Sequence, residues 1–207
     1  GIEILRRHAF LDDILVYKEP NQTILGYSCT CDPTIITGCL PRTHEHFSFF
    51  VYDPVHSPFR FLKPLSLLPS SLVERGRVRH YISRLVQPFL GFTGYFQLYA
   101  VPFARLPYFD YTEKRDLYQP GGINGGVPTI FDALRDAGIP FYLSDWRIGE
   151  KEDIARLMAD IDKGDITFAY LYLAAMDAIL HEDGTRSPRI HDKMAWYDTQ
   201  LRRILDA

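Results

Sequence analysis

Three residues of this chain have types and spacings suited to chemistry: Ser28, and the pair Asp177 and His181. Ser28 lies in GYSCTCDPTIITGCLPRTHEHF, from Gly26 to Phe47. Asp32 is a favoured helix N-cap type, and Pro33 after it suits a first helical position, where its missing N–H would be unpaired anyway. Ile35 and Ile36 supply an apolar body, and Gly38 after Thr37 marks a helix end. A hydroxyl residue just ahead of such a helix sits where unpaired N–H groups and the positive end of the helix dipole gather, which suits phosphate or sulfate. Asp177 and His181 follow a nearly continuous apolar run, Ile166 to Ala175, that reads as a strand buried on both faces. A carboxylate and an imidazole four residues apart can share one cation, since both are common zinc ligands.

These two blocks together resemble the alkaline phosphatase superfamily, most closely its type I phosphodiesterase and nucleotide pyrophosphatase branch. That branch places a Thr or Ser nucleophile ten residues before the Gly of a T-G-x-x-P-x-x-H pattern. Here the pattern is TGCLPRTH, and the residue in that register is Ser28. An Asp-x-x-x-His followed by Gly is matched by Asp177, His181 and Gly184. The resemblance implies a small-molecule phosphate ester as substrate and a covalent phospho-enzyme on Ser28. It also implies two divalent metal ions, zinc by preference with manganese or magnesium as alternatives, about 4 Å apart. Ser28 would bind one ion, and Asp177 with His181 would hold the ion that activates water. The family's further ligands are an Asp ending the first strand, an Asp-His pair in an SDHG-type motif, and another His. The chain carries none of them in register, so it is expected to be an internal part of a larger hydrolase domain. Gly1 in place of an initiator Met points the same way.

A sulfatase is the nearest alternative. Sulfatases need Pro or Ala two residues after the modified Cys or Ser, and Arg four after it. Counting from Ser28, this chain has Thr30 and Asp32, while Cys31-Asp32-Pro33-Thr34 imitates that motif three residues out of register. A phosphoglycerate mutase-like or phosphonate-hydrolysing relative differs mainly in downstream and cap residues. From another class, a decayed or split homologue would keep the fold as a binding or scaffold module.

The elements that must position these residues give an α/β chain with a doubly wound, mostly parallel, incomplete sheet and an aromatic-rich cap. Ile2, Leu5, Phe10 and Leu11 suggest an opening helix, with a strand at Ile14 to Tyr17 after it. Asp12 and Asp13 read as solvated turn residues. From Pro128 onward the pattern becomes regular: a helix over Ile130 to Ala137 stopped by Gly138, a strand from Pro140 to Leu143, a helix through Ile154, Leu157 and Ile161, and the strand from Ile166. Helix and strand in alternation point to right-handed parallel crossovers, and such sheets bind ligands beyond the carboxyl ends of their strands. Ser187-Pro188 then starts a last helix whose Ile190, Met194, Tyr197, Leu201 and Leu205 form one apolar stripe.

Residues 47–126 form the cap, rich in Pro, Phe and Tyr. Arg75, Arg77, Arg79 and Arg84 cluster there, and Arg77 and Arg79 are candidates for a substrate's phosphate, since guanidinium forks bind it bidentately. His44 is a further candidate, with the alternative that His44 and His46 orient their loop by hydrogen bonding. Gly121 to Gly126 lacks the Gly-Lys-Ser/Thr of a phosphate-binding loop and reads as a hinge.

The composition is that of a soluble globular chain: 207 residues, 46% hydrophobic, with a net charge of −3. It offers no electrostatic footprint for nucleic acid and no run long enough to span a bilayer, so neither nucleic acid nor membrane is an expected partner. Cys29, Cys31 and Cys39 are odd in number and too close together for a disulfide framework, which points to a reducing, cytoplasmic compartment. Cys29-x-Cys31 has no second pair to complete a zinc site. An incomplete parallel sheet exposes an unpaired edge, so self-association is a further expectation.

Overall fold

A computed structural model describes residues 2–14, 24, 27–73 and 75–207. It is a mixed α/β structure with two small sheets of two strands each. The chain divides into two compact units, Thr23–Ala133 and Gly1–Gln22 with Leu134–Ala207. The expected strand at Ile14 to Tyr17 lies, beyond Ile14, outside the described residues.

In the first unit, helices α2 (Ser28–Thr37) and α3 (Pro41–His44) precede strand β1 (Phe50–Tyr52). Helices α4 (Ser70–Val73) and α5 (Gly76–Phe89) follow, and β2 (Phe109–Tyr111) pairs antiparallel with β1, Val51 opposite Asp110. The aromatics counted in the sequence supply the core here: Phe59, Phe96, Phe103 and Tyr111 pack with Leu62, Val86, Leu98 and Leu106. Phe96 meets Tyr111 edge-on at 4.8 Å between ring centroids, an arrangement that aromatic quadrupoles favour. This unit is wider than residues 47–126, because α2 and α3 belong to the same body as the aromatic core.

In the second unit, α1 (Ile2–Arg7) contributes Ile4 to a core with Ile190 and Met194. Strand β3 (Phe141–Leu143), helix α7 (Glu150–Lys163) and strand β4 (Phe168–Tyr170) form a parallel pair with a helical crossover, Tyr142 opposite Ala169. That much of the expected helix-strand alternation is present. The run from Ile166 to Ala175 is not one buried strand, however. Only three of its residues are in β4, Phe168 and Tyr170 are half-buried, and Ala169 is exposed. Among the described residues β4 has β3 as its single strand neighbour, so no second strand covers its other edge.

Helix α8 (Ala175–Asp183) and helix α9 (Pro188–Leu205) close this unit. Ser187 caps α9 as expected, its hydroxyl accepting from the Arg189 N–H at 3.2 Å with Pro188 behind it. Ile190, Met194 and Tyr197 are buried along one face, but the stripe fades at its end, where Leu205 is exposed. Asp13 is an exposed turn residue as read, and it also forms a bidentate pair with Arg202 of α9 at 2.8 and 2.9 Å. Helix α6 (Ile130–Asp136) starts at a reciprocal cap: the Thr129 N–H donates to the Asp132 carboxylate at 2.8 Å, and the Asp132 N–H donates to the Thr129 hydroxyl at 3.2 Å.

Candidate active site

Ser28 is the first residue of α2, five residues earlier than the first helical residue, Pro33, that the sequence suggests. The Tyr27 carbonyl accepts the N–H groups of Thr30 (2.8 Å) and Cys31 (3.0 Å), so the polar turn itself winds into helix. Pro33 then falls inside the helix, and threonines answer with bonds of their own: Thr34 Oγ1 donates to the Thr30 carbonyl at 2.9 Å, and Thr37 Oγ1 to the Pro33 carbonyl at 2.6 Å. Gly38 ends the helix in the left-handed conformation (φ 66°), its N–H on the Thr34 carbonyl at 2.9 Å. Cys29, Thr30, Pro33 and Ile36 bury one face, which leaves Ser28 exposed at the N-terminus. Among the described residues its hydroxyl has no hydrogen-bond partner. Cys29 is no rival nucleophile, because burial pushes its thiol pKa up.

His44 is fully buried and spent on its own chain. Its Nδ1 accepts the His46 N–H at 3.1 Å, so the ring proton belongs on Nε2, which faces Thr34 Oγ1 at 2.9 Å. The resulting relay, from His46 N–H through His44 and Thr34 to the Thr30 carbonyl, ties the loop after α3 to α2. Of the two readings of His44, the loop-orienting one therefore holds, and with both ring nitrogens engaged it is not a substrate or metal ligand. His46 is likewise buried, and its Nε2 accepts the Asn124 N–H at 3.0 Å. Gly125 lets that contact form, since a Cβ there would stand 2.4 Å from the Thr43 carbonyl oxygen.

The two arginine candidates separate. Arg79 is buried, its Nη1 donates to the carbonyls of Tyr99 (2.9 Å) and Val101 (2.6 Å), and its guanidinium lies over the Phe103 ring at 4.5 Å. It is a structural cation of the cap core and is withdrawn as a phosphate ligand. Arg77 stays exposed on α5.

Asp177 and His181 occupy the first and last turns of α8, one helical turn apart on an exposed face, with Oδ1 and Nε2 separated by 3.5 Å. Two ligand atoms about 2 Å from one tetrahedral zinc ion would stand roughly 3.3 Å apart, so the pair fits a shared cation as two of its ligands. The same placement also suits the α8 dipole, acid at the N-terminal end and imidazole at the C-terminal end. Glu150, at the start of α7, positions α8. Its Oε1 accepts the Ala175 N–H at 2.7 Å and the Tyr197 hydroxyl at 2.6 Å, while Lys193 pairs with Oε2. Burial, and then the bond to Glu150, push the Tyr197 hydroxyl pKa up, which keeps it a donor. Among the described residues no group of three or more His, Cys, Asp or Glu side chains is gathered to hold a metal.

A cleft of about 490 Å³ opens in the first unit, lined among others by Arg42, Glu45, Asp110, Lys114 and Asn124. Ser28 is not part of its lining. Comparison with protein-family models, with curated proteins and with solved structures finds no match.

Two residues that matter to the structure around these sites carry no signal in the sequence. Glu150 looks like any acid in a first helical turn. Glu113 looks like a surface acid in a Thr-Glu-Lys run, yet it is 4% exposed. Burial first, then Asp32 and Asp116, push its carboxyl pKa up to about 8.

Proposed function

We propose that this chain is the nucleophile-bearing part of a metal-dependent phosphoric ester hydrolase of the phosphodiesterase and nucleotide pyrophosphatase type. The observation that carries this is the setting of Ser28: an exposed hydroxyl at the N-terminus of α2, ten residues before the left-handed Gly38 that closes the helix. The first-turn N–H groups of such a helix favour an anion beside it. The Ser28 oxygen attacks phosphorus and gives its proton to solvent, while the bond from phosphorus to the leaving alcohol breaks. Water then cleaves the phosphoseryl ester and restores the hydroxyl. A divalent cation held by Asp177 and His181, zinc by preference, would supply the positive charge that makes that water acidic.

Ser28 lies in the first unit and the Asp177–His181 pair in the second. In the same reading β3 and β4 belong to a doubly wound, mostly parallel sheet, supported by their parallel register and the α7 crossover. The three free cysteines fit a reducing, cytoplasmic setting. Self-association through an edge of the β3–β4 pair belongs with this proposal, and a monomer by light scattering at high concentration would count against it.

A non-catalytic binding module is the second reading, favoured by the lack of a three-ligand group among the described residues. Bis-p-nitrophenyl phosphate hydrolysis with bound zinc, measured for the wild type, Ser28→Ala and Asp177→Ala, separates the two. The hydrolase requires turnover that falls about a thousandfold or more in Ser28→Ala, and zinc that is lost in Asp177→Ala. Neither zinc nor turnover in the wild type sinks the hydrolase and leaves the binding module.

A further inference from the structure

Helix α5 has one broad apolar side that the core covers only in part. Val86 and Ile82 pack into the core at one edge, beside the buried Arg79 and Ser83. The other edge is open: Tyr81, Leu85 and Phe89 follow one another at four-residue spacing and are 65%, 73% and 72% exposed. The surface extends beyond the helix. Phe61 lies against Phe89 with ring centroids 5.0 Å apart, and Leu67, Leu68 and Leu72 are exposed in the segment that leads into α5. A helix of a water-facing body carries polar residues on its outer face, so a stripe of two aromatics and a leucine there calls for a partner.

The charge around the stripe names the partner's sign. Between Pro54 and Phe109 the sequence has seven Arg or Lys residues and a single acid, Glu74, in a chain whose net charge is −3. Arg77 and Arg84 are exposed, and helical spacing puts both beside Tyr81 on the outer face of α5. Among the described residues neither has an ion pair or hydrogen bond. His80, also exposed, meets the Gln97 side chain at 3.1 Å. Aromatic and aliphatic side chains backed by unpaired arginines form the pattern of an interfacial helix, whose apolar face enters the acyl boundary while its cations meet anionic headgroups. No helix among the described residues is long and apolar enough to cross a membrane, and lying on a surface needs none.

We propose that the outer face of α5, with Phe61 and the leucines before it, docks peripherally on an anionic lipid surface. This does not depend on the hydrolase reading. The phosphate groups that Arg77 meets are then those of lipid headgroups rather than of a substrate.

The test is co-sedimentation of the full chain with phosphatidylcholine vesicles, with and without about one quarter phosphatidylglycerol. Leu85→Glu/Phe89→Glu and Arg77→Gln/Arg84→Gln are measured beside the wild type. All four positions are exposed, so circular dichroism should show each variant folded. The wild type is expected to bind the anionic vesicles and to release them as salt rises. The arginine pair should weaken partition roughly thirtyfold, and the Leu85→Glu/Phe89→Glu variant should abolish it. Equal binding to both vesicle types, binding to neither, or variants that bind like the wild type would overturn the proposal. A concentration-dependent dimer that Leu85→Glu/Phe89→Glu dissolves, without vesicle binding by the wild type, would assign the face to a second copy of this chain instead.

Discussion

Replacing Glu113 by Gln keeps the shape of a buried side chain and removes its charge. Among the described residues its carboxyl accepts no hydrogen bond, and Asp32 and Asp116 add like charge nearby. The folded state therefore holds the proton up to about pH 8, whereas the unfolded chain releases it near 4.5. Because the folded state binds more protons over that interval, stability falls as pH rises through it. At about 1.4 kcal/mol per pH unit the whole interval is worth roughly 5 kcal/mol, of which about 3 kcal/mol is already lost at pH 7. Glu113→Gln has no proton to release, so it should match the wild type near pH 4 and exceed it by up to about 3 kcal/mol at pH 7. Urea unfolding from pH 4 to 9 measures this, followed by the near-ultraviolet dichroism of the tyrosines. Both tryptophans, Trp146 and Trp196, lie in the other unit and would report on the wrong body. Parallel pH profiles for the two proteins, or a less stable Gln variant at pH 7, would refute the buried neutral carboxyl.

Four other substitutions test particular contacts. Burial, with His44 adding to it, pushes the His46 imidazole down to about 4, so the wild type should lose about 3 kcal/mol as pH falls from 6.5 through 4. His46→Gln, which retains an acceptor for the Asn124 N–H, should flatten that acid limb in the same urea titration. Asp153→Ala removes a buried carboxylate that accepts from the Tyr142 hydroxyl at 2.7 Å, the Asp145 N–H at 3.1 Å and Ser144 Oγ. It should cost roughly 3 kcal/mol, read by tryptophan fluorescence during urea unfolding. A Cβ on Gly122 would stand 2.0 Å from the Asp116 carbonyl oxygen, so Gly122→Ala should lose about 2 kcal/mol or more. Gly76→Ala, whose Cβ meets nothing within 4 Å, should lose none when both variants are compared by thermal unfolding.

Local signals in the sequence carried through where the interaction is local. Gly38 at the end of α2, Ser187 at the start of α9 and the helix between β3 and β4 each depend on a few neighbouring residues. Asp32-Pro33 misled because a cap signature states only what a helix start tolerates, and the Tyr27 carbonyl had already begun the helix by taking the N–H groups of Thr30 and Cys31. Arg79 and His44 stand in the sequence as candidates for a substrate's phosphate, His44 with a loop-orienting alternative, because a sequence does not show which cation finds carbonyls or which imidazole finds a threonine. Both answers come from packing: Tyr99 and Val101 lie about twenty residues from Arg79 in sequence, and Thr34 lies ten from His44. The Asp177–His181 spacing was legible because a helix brings such positions together whatever surrounds it. The anchoring of α8 by Glu150 was not, since it joins α7, α8 and α9.

A Ser28 nucleophile becomes covalently modified in each turnover. Acid quenching during turnover of bis-p-nitrophenyl phosphate with zinc present, followed by peptide mass spectrometry, traps that ester. The expected result is a p-nitrophenyl phosphoryl ester on the peptide that carries Ser28, formed as one p-nitrophenolate leaves, and absent from Ser28→Ala along with turnover. Turnover that persists in Ser28→Ala, or an adduct on any other residue, would contradict it.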